Sequence, residues 1–142
     1  MKNLTIISGA FDPLTSKSLD IIKKIREKSD IIVICLNSDN YILNELDRKP
    51  CLKFDERYEI LKSLKYIDFI FAFDDSNTLS IDGIKKVLEF FNKNPIKKCT
   101  LIGDGEIYSE ENDDVKFQFY KTTPIISKEK SFCIENNIEI FE

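Results

Sequence analysis

Leu4-Thr5-Ile6-Ile7-Ser8-Gly9-Ala10-Phe11-Asp12-Pro13-Leu14-Thr15-Ser16-Lys17-Ser18 leads from a short apolar run into Leu19, Ile21, Ile22 and Ile25, which recur at helical spacing. An apolar strand, a glycine turn and a helix start are the elements from which α/β proteins build a phosphate site. Free N–H groups and the positive end of the helix dipole converge at such a junction. Gly9 is expected to make the turn, and Gly9, Ala10, Phe11 and Asp12 mark the place where a phosphate would sit.

Working outward, the same alternation continues. Ile31-Ile32-Val33-Ile34-Cys35-Leu36 is a continuous β-branched run, as expected of a strand buried on both faces. A polar connection over 37–53 contains Pro50 as a breaker. A helix is expected from about Asp55, its N-cap, with Phe54, Tyr58, Leu61 and Leu64 on one face. Residues 67–73 read as a third strand, and Ile81, Ile84, Leu88 and Phe91 as a helix stopped by Pro95. Residues 99–102 read as a fourth strand, ending at Gly103-Asp104-Gly105. Residues 115–120 alternate in the manner of a sheet edge or a strand with one exposed face. Ser127 is expected to cap a short last helix, and 138–141 to form a terminal strand. This order predicts an α/β fold: a Rossmann-like parallel sheet with helices on both faces and right-handed crossovers, one domain over 1–142. Ligands in such folds lie beyond the carboxyl ends of the strands, here after Ile7, Leu36, Ile102 and Tyr120.

Composition narrows the function classes. The chain has 142 residues, a net charge of −4 and no histidine. An acidic balance argues against a general nucleic-acid surface, which needs a basic face. No apolar run approaches the ~20 residues of a membrane span, and the N-terminus has no signal-peptide pattern. Cys35, Cys51, Cys99 and Cys133 lack C-x-x-C spacing and read as free thiols in a reducing cytoplasm, with Cys35 and Cys99 in or beside buried strands and no metal site among them. Ser-His, Cys-His and His-metal mechanisms require a residue the chain lacks. Asp74 and Asp75 read as a polar turn, and Glu110-Glu111-Asn112-Asp113-Asp114 as a solvated acidic loop.

The first stretch resembles the G-x-F-D-P-x-H-x-G-H signature of the cytidylyltransferase-like nucleotidyltransferases. Gly9, Phe11, Asp12 and Pro13 match it, while Thr15, Lys17 and Ser18 stand where the signature has His, Gly and His. Leu36-Asn37-Ser38-Asp39 is similar to the family's L-N-S-D. Lys49-Pro50, Asp55-Glu56-Arg57 and the run 61–68 resemble its R-P, E-x-R and L-x-x-L-x-x-V-D stretch. Leu101-Ile102-Gly103-Asp104 resembles the fourth-strand G-D-D, and Lys121-Thr122-Thr123-Pro124-Ile125-Ile126-Ser127 the late R-T-x-G-I-S-T. The likeness covers nearly the whole chain in order. It is nearest to glycerol-3-phosphate cytidylyltransferases and the adenylyltransferase domain of ADP-heptose synthases.

The resemblance implies a reaction in which a substrate phosphate attacks the α-phosphate of CTP or ATP and pyrophosphate leaves, with Mg²⁺ joining the nucleotide in an active member. No cofactor is otherwise implied. It also implies a nucleotide and a sugar or polyol phosphate as ligands, and a homodimer by analogy with small relatives. Thr15, Lys17 and Ser18 then occupy the catalytic positions. Gly9, Ala10, Phe11, Asp12, Lys121, Thr122, Ser127 and Lys128 fall at nucleotide or phosphate positions, and Asp39, Arg48, Lys49, Arg57 and Asp104 at substrate positions. Asp47 falls about where the family has a catalytic lysine. Thr15 and Ser18 donate hydrogen bonds but carry no charge. Lys17 either replaces the missing positive character or fills the space of the glycine. Arg57 either serves the site or is a solvated helix arginine. The expected protein is a homologue with transfer activity lost or impaired, in which nucleotide or phosphate binding could survive. Two alternatives stay open. One is an active divergent transferase drawing its charge from Lys17, Arg48, Lys49, Lys121 and Lys128. The other is a protein-interaction module with a filled pocket.

Overall fold

The β-branched run at 31–36 forms a strand in which all six residues are fully buried. Around it, a computed structural model describes residues 2–93, 98–100, 106–108 and 115–141, with backbone alone at 98–100 and 106–108. The elements are β1 (Lys2–Gly9), α1 (Ser16–Glu27), β2 (Ile31–Leu36), α2 (Asp39–Glu45), α3 (Phe54–Lys62), β3 (Phe69–Ala72) and α4 (Ile81–Lys93). There follow β4 (Lys98–Thr100), β5 (Glu106–Tyr108), β6 (Val115–Lys121), α5 (Ser127–Glu135) and β7 (Glu139–Ile140).

Five strands pair in parallel in the order β3-β2-β1-β6-β7. Side chains alternate along each strand, so the sheet has two apolar faces. Leu4, Ile6, Val33, Cys35 and Phe119 meet Ile84, Val87 and Phe91 of α4 and Cys133 of α5 on one side. Ile7, Ile32, Ile34 and Leu36 meet Ile22 and Ile25 of α1 and Leu61 of α3 on the other. Each fully buried aliphatic side chain contributes about 1.5–3 kcal/mol relative to exposure. This is the Rossmann-like parallel sheet, helices on both faces, that the alternation predicts. The strand order reverses between β1 and β6, and that switch point is where open α/β sheets form a ligand crevice. Among the described residues, no helix is long and apolar enough to cross a membrane.

Several local expectations are corrected. β6 is not an edge: it lies between β1 and β7, and its alternation reflects partial cover at its start rather than an open side. The polar connection after β2 contains α2, capped by Ser38, whose hydroxyl accepts from the Tyr41 N–H at 3.1 Å. α3 begins at Phe54 with Lys53 at the N-cap, and Asp55 instead favours the first turn through the helix dipole. Ile126, not Ser127, is the N-cap of α5. β4 lies outside the parallel sheet and pairs antiparallel with β5. The rest of the expected fourth strand, Pro95, Asp104 and the 110–114 run lie outside the described residues.

Cys35 is buried as expected, and burial pushes its thiol up to about 12. Cys133 is likewise buried and raised to about 11 by burial and the nearby Glu129 charge, whereas Cys51 is exposed. The Cys99 side chain lies outside the described atoms.

The sheet is also tied by a buried carboxylate. Asp68 Oδ2 accepts from the Ile32 N–H at 2.9 Å and from Arg26 Nη1 at 2.5 Å, fixing the end of α1 to the start of β2 and β3. Asp68→Ala leaves a buried N–H without an acceptor. It is expected to lower unfolding stability by about 1–3 kcal/mol in a urea titration.

Candidate active site at the strand termini

The junction after β1 differs in detail from a glycine turn. Gly9 is the last residue of the strand, and its carbonyl accepts from the Asn37 N–H at 2.9 Å. The left-handed residue is Phe11, with φ of 47°. A bulky side chain rarely adopts that conformation; here its ring is buried in the α1-side core, which compensates. The lack of a side chain at Gly9 has a different reason. A Cβ there would come within 2.6 Å of Thr122 Cγ2 and 2.7 Å of Thr122 Oγ1. Thr122, whose N–H donates to the Ser8 carbonyl at 2.9 Å, thus lies directly over the strand end.

α1 starts at the bottom of the same crevice. Thr15 is its N-cap: Oγ1 accepts from the Ser18 N–H at 3.2 Å and lies 3.1 Å from Ser18 Oγ. One first-turn N–H and both hydroxyls are therefore engaged with each other. Lys17, exposed, and Ser18 line a cleft of about 270 Å³ together with Phe11, Ile21, Tyr120 and Thr122, its surface divided about evenly between polar and apolar atoms. Small-molecule sites run from about 300 to 1,000 Å³, so this one is narrow.

Asp12 faces away from the cleft. Its fully buried carboxylate accepts from Arg48 Nη1 at 2.6 Å, from the Cys51 N–H at 2.8 Å and from the Leu52 N–H at 2.7 Å. Burial acts to raise its pKa, but the Arg48 hydrogen bond and charge and the two N–H donors outweigh it and hold the carboxyl below its ordinary 3.8. Arg48 also donates to the Asp12 carbonyl at 2.9 Å. Asp47, with φ of 52°, follows the C-cap of α2, a left-handed position that Asp tolerates. Its place in the chain is explained by helix termination.

Arg57 is not solvated. Its side chain is fully buried and donates from Nε to the Leu52 carbonyl at 3.0 Å. Nη1 donates to the Ala10 and Asn37 carbonyls, each at 2.8 Å, and Nη2 to Asp39 Oδ1 at 2.7 Å. Lys121 is also engaged: Nζ donates to the buried Glu129 at 2.8 Å. Lys49, Ser127 and Lys128 are exposed.

Residues 6–131 match the family model described as cytidylyltransferase-like. The chain belongs to this family. It is similar to the bifunctional protein HldE of Helicobacter pylori, 25% identical over 140 residues, covering 93% of this chain and 29% of that protein. HldE of Geobacter sulfurreducens is 31% identical over 81 residues, covering 56% of this chain and 16% of the relative. The chain thus spans less than a third of the length of these curated relatives. Among solved structures, the lipopolysaccharide core biosynthesis protein of Thermoplasma volcanium superposes with a TM-score of 0.64 at 15% identity, covering 99% of this chain and 94% of that one.

The cytidylyltransferase-like signature positions therefore divide among four places. Phe11, Lys17, Ser18 and Thr122 meet at the cleft; Thr15 caps the helix beneath it. Asp12 and Arg48 brace the loop before α3, Ala10, Asp39 and Arg57 form the buried guanidinium site, and Lys121 lies on the α4–α5 side with Glu129. Sequence reasoning missed Tyr120, Ser80 and Glu129. The first was read only as a strand residue, and the other two carry no motif. It also read Asp75 as part of a simple polar turn. Asp74 does accept locally from Ser76, but Asp75 is buried and accepts from Asn37 Nδ2 and from the Ser38 N–H and hydroxyl at 2.7–3.0 Å.

Among the described residues Asp12 is taken by three donors and no group of three His, Cys, Asp or Glu side chains is placed to hold a metal, so a Mg²⁺ here would be held mainly by the phosphates of a bound nucleotide.

A carboxylate with a depressed native pKa contributes stability above its ordinary value, and that contribution fades as pH falls through the native one. Urea midpoints of the wild type and Asp12→Asn are therefore expected to differ most near neutrality. The gap should close progressively once pH drops below 3.8.

Proposed function

We propose that this member of the family has lost, or retains only weakly, nucleotidyl transfer, while its narrow cleft beside α1 keeps affinity for a nucleotide (CTP or ATP) or a sugar or polyol phosphate. The observation that carries the reading is the start of α1, where neutral Thr15 and Ser18 hydroxyls bond to each other in the place of two histidines. Transfer to a phosphate acceptor places negative charge on the phosphoryl oxygens and the departing pyrophosphate. Proteins accelerate it mainly by alignment and by donors aimed at that charge. Removing one such donor commonly costs about 10²–10³-fold.

Three of the other candidate cations support the same reading, since Arg48, Arg57 and Lys121 are each held by a carboxylate of the chain itself, while Lys49 and Lys128 are exposed. Lys17 favours a second reading. It is exposed at the rim of the cleft beside Ser18, where an ammonium could meet a phosphate. A divergent active enzyme would depend on it.

Incubation with CTP or ATP, Mg²⁺ and a panel of sugar and polyol phosphates is expected to give turnover far below the roughly 1–10³ s⁻¹ of ordinary enzymes. Turnover within that range, abolished by Lys17→Ala, would establish the second reading instead. Thermal melts with nucleotide test binding directly. A ligand at ~100 times its dissociation constant adds about 2.7 kcal/mol of stability, and no shift with either nucleotide or any phosphate would refute retained binding.

A further inference from the structure

On the α4–α5 side of the strand ends, three donors from three elements converge on one carboxylate. Glu129 Oε1 accepts from Lys121 Nζ at 2.8 Å and from the Ile126 N–H at 3.1 Å, and Oε2 accepts from the Ser80 N–H at 2.8 Å. The Glu129 side chain is fully buried and that of Lys121 only 8% exposed. The cluster is anchored to the end of β1, because the Ser80 and Ser8 hydroxyls lie 2.8 Å apart.

An ammonium and two backbone N–H groups, spread over the two oxygens of one carboxylate and including the capping-box bond from the Ile126 N–H, are donors of the kind that recognise an oxyanion. An ammonium so deeply buried also requires a counter-charge, since leaving it alone would cost several kcal/mol. In this chain the counter-charge comes from the first turn of α5 itself. Burial works to raise the Glu129 pKa, but Lys121 and the two N–H donors hold it below the ordinary carboxylate value, so the group is ionised at neutral pH.

We propose that Glu129 is a built-in anion. It fills the donor set of Lys121, Ser80 and Ile126 that a ligand phosphate or carboxylate would otherwise take, and an external anion reaches Lys121 only by displacing it. Glu129 thereby determines how tightly the strand ends hold a phosphate on this side. The inference goes beyond the loss of transfer, and its test uses neither nucleotide nor activity, so either can fail alone.

The experiment compares thermal melts of the full chain as wild type, Glu129→Ala and Glu129→Ala/Lys121→Met, titrated with formate or inorganic phosphate at constant ionic strength. Glu129→Ala is expected to melt lower than the wild type without added anion and to recover saturably as formate or phosphate rises. Its apparent affinity for the anion should be at least ~10-fold above that of the wild type, and the double variant should lose this gain. If Glu129→Ala does not fold, the near-isosteric Glu129→Gln decides, paired with Glu129→Gln/Lys121→Met. The same ordering supports the proposal. An anion response equal in wild type and variant, or one undiminished by Lys121→Met, overturns it.

Discussion

A buried guanidinium organises the functional edge of this protein. Arg57 has no access to water and gives four hydrogen bonds, three to carbonyls and one to a carboxylate. The carbonyls belong to Ala10 after β1, Asn37 after β2 and Leu52 before α3. One planar fork therefore sets the relative positions of three segments that would otherwise be independent loops. A charge buried so completely is tolerated only when all its surroundings are satisfied. Those segments must then close in a single arrangement, and the crevice between β1 and β6 inherits its shape from them. Lysine could not replace it, because a point charge cannot reach three separated backbones at once.

The same logic extends to the other cations. Arg48 is bound by Asp12 and Lys121 by Glu129, so much of the positive charge that the family resemblance assigns to phosphates is balanced from within. These pairs tie together loops and helix starts. The cleft is lined by apolar side chains together with the hydroxyls of Ser18, Tyr120 and Thr122 and by one lysine. Lys17 is the one charged side chain among the described residues that line it.

The sequence made the layered α/β architecture legible because its signals are strong and local. A fully buried parallel strand such as β2 needs an unbroken apolar run, and amphipathic helices declare their faces by period. The elements misread were those decided by distant partners. The alternation of β6 looked like an edge, yet β7, only two residues long, pairs with it at Gln118 and Phe119. α2 is short and polar, and its start depends on Ser38 together with Asp75 thirty-seven residues later. At the candidate site, motif matching pointed to the junction after β1, and it assigned ligand roles by residue type alone. Which cation is free depends on which carboxylate folds against it, and Glu129 carries no spacing signal toward Lys121. Gly9 illustrates the same limit. Its lack of a side chain answers to close contact with Thr122, far along the chain, rather than to a turn.

Thr15 carries a final implication. Its hydroxyl terminates α1 by accepting from the Ser18 N–H, and removing such a cap from a helix costs about 0.5–2 kcal/mol. A residue at 15 that cannot accept from that N–H would weaken the helix on which the cleft is built. Most proteins hold only 5–15 kcal/mol of stability in all. Position 15 is thus part of the scaffold, and its side chain is constrained by stability before any question of chemistry arises.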